Sequence, residues 1–337
     1  MGKSTIFDVA KKAGVSKSTV SRVINNQGNV KEKTRKKILK VMRSLNYHPN
    51  SSARSLVTKR TNTIGLIVPD ITDFFYLQFI KGAEVVGIKN NYNMMLLSSR
   101  WDVEEERYCL KMFGEGRVDG VLLISGNWVG EPYLNCPELE KMPLVIIDRT
   151  LNNHVIPTIN VDNKNGGYLG TRHLLENGHR MIAFVTGLAN QKASLDRMEG
   201  YRQAMDEAGV RESENLIYPG DFTEKSGYQV TRQVLEAGKG ITAIFYANDL
   251  MAIGGIKAIK DKGLIIPDDL SLIGCDDLEL VSLIDPPFTT LRQPRYKMGY
   301  TGMELLINSI EHKDNINPAQ IIYHMALIQR NSVQSRS

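Results

Sequence analysis

The first sixty residues hold the side chains with the clearest chemical purpose. They contain 15 lysines and arginines against only Asp8 and Glu32, a net charge of +13. Small hydroxyl side chains and cations follow one another at Ser16-Lys17-Ser18-Thr19 and Ser21-Arg22. Cations neutralise phosphates, and short polar side chains hydrogen-bond to base edges. A solvated helix face is the plainer interpretation of a basic run. Here the charge covers a whole small domain, which favours nucleic-acid binding.

The remaining residues have a different chemical character. They carry 27 basic and 35 acidic side chains, a net charge of −8. They contain no GxxxxGK(S/T), HExxH or GxSxG pattern, so no phosphate loop, zinc protease or nucleophile elbow is indicated. The six histidines and three cysteines lack the spacing of metal ligands. We therefore expect no catalytic site, no metal and no cofactor.

Capping residues and helical periodicity place the polar N-terminal side chains on two helices. Thr5 begins the first as a capping-box residue, and Gly14 ends it. Ser16 caps the second, whose polar face suits a DNA major groove. A third helix is predicted over residues 31–47, and the segment after Pro49 is too short to be a stable helix alone. The inward-facing apolar residues of the second helix are Val20, Val23 and Ile24.

This region resembles the headpiece of the lac repressor (LacI/GalR) family of transcription regulators. The matching stretches are Thr5-Ile6-Phe7-Asp8-Val9-Ala10, Ala13-Gly14-Val15-Ser16 and Thr19-Val20-Ser21-Arg22-Val23-Ile24-Asn25. The resemblance implies that Lys17 and Ser18 read bases. It also implies that Leu56, in Ala53-Arg54-Ser55-Leu56, inserts into a minor-groove step. The DNA-binding residues implied in this way are Thr5, Ser16, Lys17, Ser18, Thr19, Ser21, Arg22, Asn25, Tyr47, Asn50, Ala53 and Leu56.

From Thr61 onward, buried apolar runs alternate with amphipathic helical patterns in two successive series. Such alternation predicts two lobes, each a doubly wound parallel sheet covered by helices. The pattern resembles the type I periplasmic-binding-protein fold of the same family's effector domain, which crosses between lobes near 161, 292 and 321. The predicted domains are a helix-turn-helix headpiece (1–48), a hinge (49–60), a first lobe (61–161 with 292–320), a second lobe (162–291 with 321–332) and a tail (333–337).

The resemblance also implies a small-molecule effector between the lobes. Aromatic faces and polar planar groups suit a carbohydrate or a small polar heterocycle. Arg197 matches the family's effector-contacting arginine, although Ala193 stands close to where a hydroxyl residue is common. The effector-binding residues implied are Phe75, Arg149, Asp162, Arg197, Phe222, Asn248 and Asp276.

The sequence thus predicts a repressor of carbohydrate-utilisation genes controlled by a sugar. No trailing leucine heptad follows the last strand, so we expect a homodimer that binds a pseudo-palindromic operator. No apolar run is long enough for a membrane span and no secretion signal is present, so we expect a cytoplasmic, nucleoid-associated protein. An exported sugar-binding protein and a sugar-metabolising enzyme are alternatives from other classes. A catabolite-control regulator that answers to a phosphorylated carrier protein is the alternative within the family, suggested by Tyr296 and Phe74-Phe75-Tyr76 and opposed by the acidic Glu304.

Overall fold

The computed structural model describes residues 4–25, 28, 30–47, 60–125, 142–149, 156–210, 213–312 and 320–336. The chain divides into two compact units, one of residues 1–62 with 116–119 and one of the remaining residues. Within the described ranges, no helix is long and apolar enough to cross a membrane.

The smaller unit contains the three predicted helices, α1 (Ile6–Ala13), α2 (Lys17–Ile24) and α3 (Glu32–Ser44). Thr5 and Asp8 form the expected capping box, and Gly14 ends α1 with φ 65°. Ser16 Oγ accepts a hydrogen bond from the Thr19 amide at 3.2 Å, which caps α2. The third helix ends at Ser44, earlier than predicted, and Asn46 then adopts a left-handed φ of 46°. The buried core residues are Val9, Ala10, Ala13, Val20, Val23 and Ile38.

The first lobe of the larger unit is a six-stranded parallel sheet in the order β11-β5-β4-β3-β1-β2. Its inner strands β3 and β4 are buried along their whole length, as expected for a sheet covered on both faces. The elements are β1 (Thr63–Val68), β2 (Asn93–Ser98), β3 (Gly120–Ile124), β4 (Leu144–Ile147), β5 (Thr158–Val161), β11 (Gln320–Tyr323), α4 (Phe74–Lys89), α5 (Val103–Gly114) and α10 (Arg295–Glu311).

The second lobe repeats this plan in the order β12-β10-β9-β8-β6-β7, with only β12 antiparallel to its neighbour. The elements are β6 (Ile182–Val185), β7 (Ile217–Tyr218), β8 (Ala243–Tyr246), β9 (Ser271–Asp276), β10 (Thr289–Arg292), β12 (Ala326–Ile328), α6 (Asn163–Glu176), α7 (Lys192–Glu207), α8 (Glu224–Glu236) and α9 (Asp249–Asp261). Short 3-10 helices span Ser213–Leu216 and Glu279–Ser282. Parallel strands put their carboxyl-terminal ends on one edge of each sheet, where ligands of such folds bind.

The chain crosses between the lobes three times, after β5, after β10 and after β11. The first crossing follows Val161, and the second follows Arg292. The third differs from the prediction, because Gln320–Tyr323 pairs in parallel with β5 and so belongs to the first lobe. The sequence-based prediction places residues 321–323 in the second lobe. Their apolar run, Ile321-Ile322-Tyr323, extends the strand by three residues beyond the expected boundary.

Helices α4 and α10 pack with their backbones in contact on the first lobe. A Cβ added at Gly82 would lie 2.1 Å from the Tyr296 carbonyl oxygen, and one added at Gly299 would lie 2.0 Å from the Phe79 carbonyl oxygen. Only glycine allows this approach at either position. The two helices therefore form one rigid layer beside the first sheet.

Candidate functional site

The exposed end of α2 carries a cluster of hydroxyl groups. Ser16 Oγ lies 2.8 Å from both Ser18 Oγ and Thr19 Oγ1. Ser16 and Ser18 are exposed, while Val20 on the next turn is fully buried. A hydroxyl can donate and accept, so this end of α2 can match either kind of group on a base edge or on a phosphate.

Two cations accompany the hydroxyl cluster on the same helix. The Lys17 ammonium lies 4.6 Å from the centroid of the Phe7 ring, which is itself 63% exposed. Arg22 is exposed one turn further on. Asn25 Nδ2 donates to Ser21 Oγ at 3.3 Å, which holds the amide at the end of the helix. Sequence reasoning missed Phe7, because its apolar type suggests a core position; only its place opposite the buried face of α1 could have indicated exposure.

Basic side chains are exposed on all three helices of this unit. Few carboxylates oppose them, and the Asp8 carboxylate is engaged in the α1 cap, where hydrogen bonds from Thr5 lower its pKa. The surface potential of the unit is therefore positive, as nucleic-acid binding requires. Among the described residues 4–47, the exposed cations are Lys11, Lys12, Lys17, Arg22, Lys31, Lys33, Lys36, Lys37, Lys40 and Arg43.

Not all the predicted DNA-binding residues can be placed. Asn50, Ala53 and Leu56 lie outside the described residues. Thr5 is exposed, but its hydroxyl is engaged with Asp8. Tyr47 packs in part against the core of the three helices, and this burial raises the pKa of its hydroxyl. The remaining predicted residues lie on α2 and at its two caps, where each is exposed or half-buried.

A cavity that is partly open to solvent lies between the two lobes. The first lobe contributes residues from the start of α4, the β2–α5 loop and the ends of β3 and β4. The second lobe contributes residues from α7 and from the loops that follow β7, β8 and β9. The lining residues are Asp73, Phe75, Tyr76, Trp101, Ser125, Asp148, Gln191, Ala193, Arg197, Phe222, Asn248, Leu250, Asp276 and Leu278.

Arg197 and Asp276 form the polar centre of the second-lobe wall. Both side chains are about nineteen-twentieths buried, and Arg197 Nη2 lies 3.9 Å from Asp276 Oδ1. Arg197 Nε donates to Asn163 Oδ1 at 2.9 Å, and its Nη1 donates to the Ala247 carbonyl. Gln293 Nε2 donates to Asp276 Oδ1 at 2.7 Å. These hydrogen bonds within the protein hold both charged groups in place.

Three carboxyl groups face the same cavity, and their pKa values are raised. Burial raises the pKa of Asp148 to about 7; the negative charge of Asp276 adds to this effect and the positive charge of Arg197 opposes it. Burial likewise raises the pKa of Asp276, against Arg197 and Arg295, which lower it. Burial also raises the pKa of Asp73. Groups whose charge is poorly solvated in this way are typical of binding sites.

Aromatic rings form the apolar part of the wall. Phe75 contacts Tyr76 edge-on with ring centroids 5.0 Å apart, and Tyr76 lies 6.0 Å from Trp101. On the opposite lobe Phe222 has a left-handed φ of 71° and packs against Gly187, where an added Cβ would lie 1.9 Å from the ring. Asn248 Nδ2 donates to the Phe222 carbonyl at 2.9 Å. Rings from both lobes thus face a polar centre.

The structure brings five of the seven predicted effector-binding residues to the cavity, namely Phe75, Arg197, Phe222, Asn248 and Asp276. The other two are not part of its lining. Arg149 is fully buried behind the wall, where its Nη1 lies 3.9 Å from Glu106 and donates to Ser125 Oγ at 3.4 Å. Asp162 accepts from the Asn165 amide at 2.9 Å as the cap of α6 and faces His324, 3.6 Å away.

Sequence reasoning also missed several lining residues. Asp148 stands one position before the predicted Arg149, and its φ of 62° turns the chain so that the carboxylate and the guanidinium point differently. Trp101 has φ 59° directly after Arg100 with φ 52°, a local geometry with no sequence signature. Among the described residues, no group of three or more His, Cys, Asp or Glu side chains is placed to hold a metal ion.

Comparison with known proteins identifies the family. Residues 5–50 match bacterial regulatory proteins of the lacI family, and residues 171–333 match the periplasmic binding protein-like domain. The HTH-type transcriptional regulator RegA of Clostridium saccharobutylicum is 38% identical over 98% of this chain and 99% of its own length. Catabolite control protein A of Priestia megaterium is 36% identical over 90% of this chain and 91% of its own length.

Two solved structures cover nearly the whole chain. The lac repressor dimer bound to operator and the anti-inducer ONPF superposes with a TM-score of 0.89 at 27% identity, over 99% of this chain and all of that one. The complex of the transcriptional regulator CelR with cellobiose superposes with a TM-score of 0.73 at 30% identity, over 98% of this chain and 99% of that one. The helical unit and the two-lobed unit therefore occur together in known regulators. The chain belongs to the lacI family, as a DNA-binding transcriptional regulator with an effector-binding domain and not an enzyme.

Proposed function

We propose that the chain is a homodimeric repressor of carbohydrate-utilisation genes whose operator binding is controlled by a sugar in the interlobe cavity. One observation carries the effector class. Asp148, Asp276, Asn248 and Arg197 surround a space walled by aromatic rings from both lobes. Carboxylates, an amide and a guanidinium match the hydroxyls of a sugar, while aromatic faces match its apolar C–H faces.

The charges of the cavity narrow the ligand class further. Among the described residues, Asp73, Asp148 and Asp276 line it together with one cation, Arg197. A phosphate or carboxylate on the ligand would add negative charge beside three carboxyl groups with raised pKa values. An uncharged sugar with several hydroxyl donors brings no such cost. It also supplies partners for the carboxylates.

A thermal-shift screen tests the effector class directly. Neutral mono- and disaccharides, sugar phosphates and nucleobases are added to the purified protein, and the midpoint of unfolding is recorded. A ligand at 100 times its Kd stabilises the protein by about 2.7 kcal/mol. We expect a neutral sugar to raise the midpoint and the Asp276→Asn variant to lose that shift. A shift from nucleobases or sugar phosphates alone would contradict the sugar assignment.

The operator function rests on the hydroxyl and cation surface of α2. We expect tight binding to a pseudo-palindromic duplex, with Lys17 and Ser18 setting base preference. Fluorescence anisotropy against selected genomic fragments and random duplex, with salt varied, measures affinity and specificity together. A protein that binds both kinds of duplex equally, with and without sugars, would not be a repressor of specific genes. A fragment bound only when sugar is added would instead indicate a corepressor.

The homodimer has its own structural support in the first lobe. Strand β2 is an edge strand, and its Met95 and Leu96 are each 40% exposed. Leu77 and Ile88 on the adjacent helix α4 are also exposed. An exposed apolar edge is a liability that natural proteins cover, and a second copy of this chain is the occupant we propose. Analytical ultracentrifugation should show a dimer at micromolar concentration, and Leu96→Lys should shift it towards monomer. A wild-type protein that sediments as a monomer would contradict the proposal.

The catabolite-control alternative has one observation in its favour and one against it. Tyr296 on α10 is 40% exposed and available to a partner protein. Two turns along the same helix, Glu304 is also exposed, and its negative charge raises the pKa of Tyr300. A carboxylate at this position repels a phosphorylated carrier protein. Pull-down with a seryl-phosphorylated carrier protein distinguishes the two functions, and we expect no phosphate-dependent binding.

A further inference from the structure

Arg295, the first residue of α10, contacts residues of both lobes. It is 4% exposed, although it follows the second crossing by only three residues. Its Nη1 donates to the Phe75 carbonyl at 3.2 Å, and its Nη2 donates to the Asp277 carbonyl at 2.9 Å. The first acceptor belongs to the first lobe and the second to the second lobe. The guanidinium carbon also lies 5.4 Å from the centroid of the Phe75 ring.

Both acceptors belong to the wall of the cavity. Phe75 lines the cavity itself, and Asp277 stands between two lining residues, Asp276 and Leu278. Asp276 and Asp277 have left-handed φ values of 127° and 53°, so this loop needs external support to keep its shape. One guanidinium therefore joins an aromatic wall on one lobe to a strained carboxylate loop on the other.

The second lobe holds the same loop by separate contacts. Asp277 accepts hydrogen bonds from Arg292 Nε at 2.5 Å and from Arg330 Nη2 at 2.6 Å. The Leu278 amide donates to Asp249 Oδ2 at 2.8 Å. Arg292, in β10, and Arg330, after β12, stay with the second lobe. Arg295 is anchored in α10, which is packed rigidly on α4 of the first lobe.

We propose that Arg295 is a positioning residue that sets the relative arrangement of the two lobes around the cavity. A rotation between the lobes changes the distance between the Phe75 and Asp277 carbonyl oxygens, so at least one of the two hydrogen bonds must lengthen. Arg295 therefore has a different interaction free energy in different lobe arrangements, the condition for biasing between them. A ligand that moves Phe75 or Asp276 therefore also affects the hydrogen bonds that Arg295 makes to the two lobes. This role in the regulator rests on the proposed effector function of the cavity.

The test measures lobe arrangement without effector or DNA, so its outcome is independent of the proposed function. Spin labels are attached through Lys111→Cys on α5 and Gln233→Cys on α8, both exposed positions, in a Cys136→Ser background. The remaining cysteines, Cys109 and Cys275, are buried. The labelled chain is diluted with unlabelled protein, and double electron–electron resonance then reports one interlobe distance distribution per chain.

We expect one dominant distance in the wild type and a second population in Arg295→Met, with the ratio of populations changed about tenfold by the lost charge-assisted bonds. Arg292→Met is the matched control, because it removes a bond to the same loop from within the second lobe. The midpoint of thermal unfolding should fall in both variants. Only Arg295→Met should change the distances between the two spin labels.

Arg295→Lys keeps the charge but lacks the fork that spans two carbonyl groups, so it should behave like Arg295→Met. It also serves as the test variant should Arg295→Met fail to fold. Unchanged distances in Arg295→Met, or wild-type distances in Arg295→Lys, would overturn the proposal. An equal change of the interlobe distances in Arg292→Met would also overturn the proposal. It would mean that the Asp276–Leu278 loop, and not Arg295, determines the relative arrangement of the lobes.

Discussion

Replacing Asp148 by Asn should stabilise the unliganded protein while weakening effector binding. Asp148 has φ 62°, a left-handed conformation that Asn adopts more readily than most residues, so the backbone tolerates the change. The side chains have nearly the same shape. What changes is the charge of a carboxyl group that the fold places next to the negative charge of Asp276.

The direction of the stability change in Asp148→Asn follows from the raised pKa of Asp148. Its pKa is about 7 in the fold against 3.8 in a free side chain. Well below pH 3.8 the group is protonated in both the folded and the unfolded state, and it then carries no penalty. Between pH 3.8 and pH 7 this carboxyl group ionises in the unfolded chain but stays largely protonated in the fold. The free energy of unfolding therefore falls across this pH range and stays lower above it. The full shift would correspond to about 4 kcal/mol. Because the carboxyl group opens onto a cavity that solvent can enter, we expect about 1–2 kcal/mol.

Thermal unfolding at pH 4.5 and pH 7.5 measures this effect. Asp148→Asn should raise the midpoint at pH 7.5, by about 2–4 °C per kcal/mol, and the gain should shrink at pH 4.5. Effector affinity should fall about 10- to 100-fold, since a charged acceptor is lost. Asp162→Asn is the control, because Asn caps α6 as well as Asp does and the site is outside the cavity. A lower midpoint for Asp148→Asn at pH 7.5 would refute the reasoning, since it would mean that the carboxylate has a stabilising partner.

Three further perturbations address the other sites. Lys17→Ala should change the base preference at one operator position. Lys36→Ala should leave the base preference unchanged and reduce the slope of log affinity against log salt concentration by about one. Competition binding with operator variants distinguishes these two effects. Leu56→Ala should weaken operator binding far more than random-duplex binding, and an equal loss for both duplexes would contradict the wedge role. Gly299→Ala should destabilise the first lobe by about 1–3 kcal/mol, because the added methyl meets the Phe79 carbonyl; an unchanged unfolding midpoint would show that α4 and α10 can separate at little cost.

Local chemistry made the helical unit predictable from the sequence. Thr5, Gly14 and Ser16 each act through atoms within a few residues, and the structure confirms all three caps. The alternating βα pattern of the body was also readable, because buried parallel strands are continuous apolar runs. The third crossing follows Tyr323 and not residue 320, because the end of β11 depends on its pairing with β5, which is distant in sequence. Boundaries set by tertiary pairing leave little local trace.

The cavity was harder to predict than the fold around it. Arg197 and Asp276 could be assigned from the family resemblance, but side-chain direction at the ends of strands could not. Asp148 and Arg149 are neighbours, yet one faces the cavity and the other is buried beside Glu106. A single left-handed residue decides which of them faces a ligand, and Asp148 carries no turn signal such as glycine. Trp101 was missed for the same reason.

The electrostatics of the cavity give a physical reason for effector control. Asp148 and Asp276 have raised pKa values, so ionising these two carboxyl groups at neutral pH has a free-energy cost. A ligand whose hydroxyls donate to these carboxylates stabilises their ionised forms and removes part of that cost. The benefit is largest in the lobe arrangement that brings all donors and acceptors within reach. Arg295 acts on that same arrangement through carbonyl groups that do not titrate. Ligand binding and the Arg295 hydrogen bonds can therefore favour the same lobe arrangement or different ones, although neither contacts DNA. The balance of their free energies decides which lobe arrangement the regulator adopts.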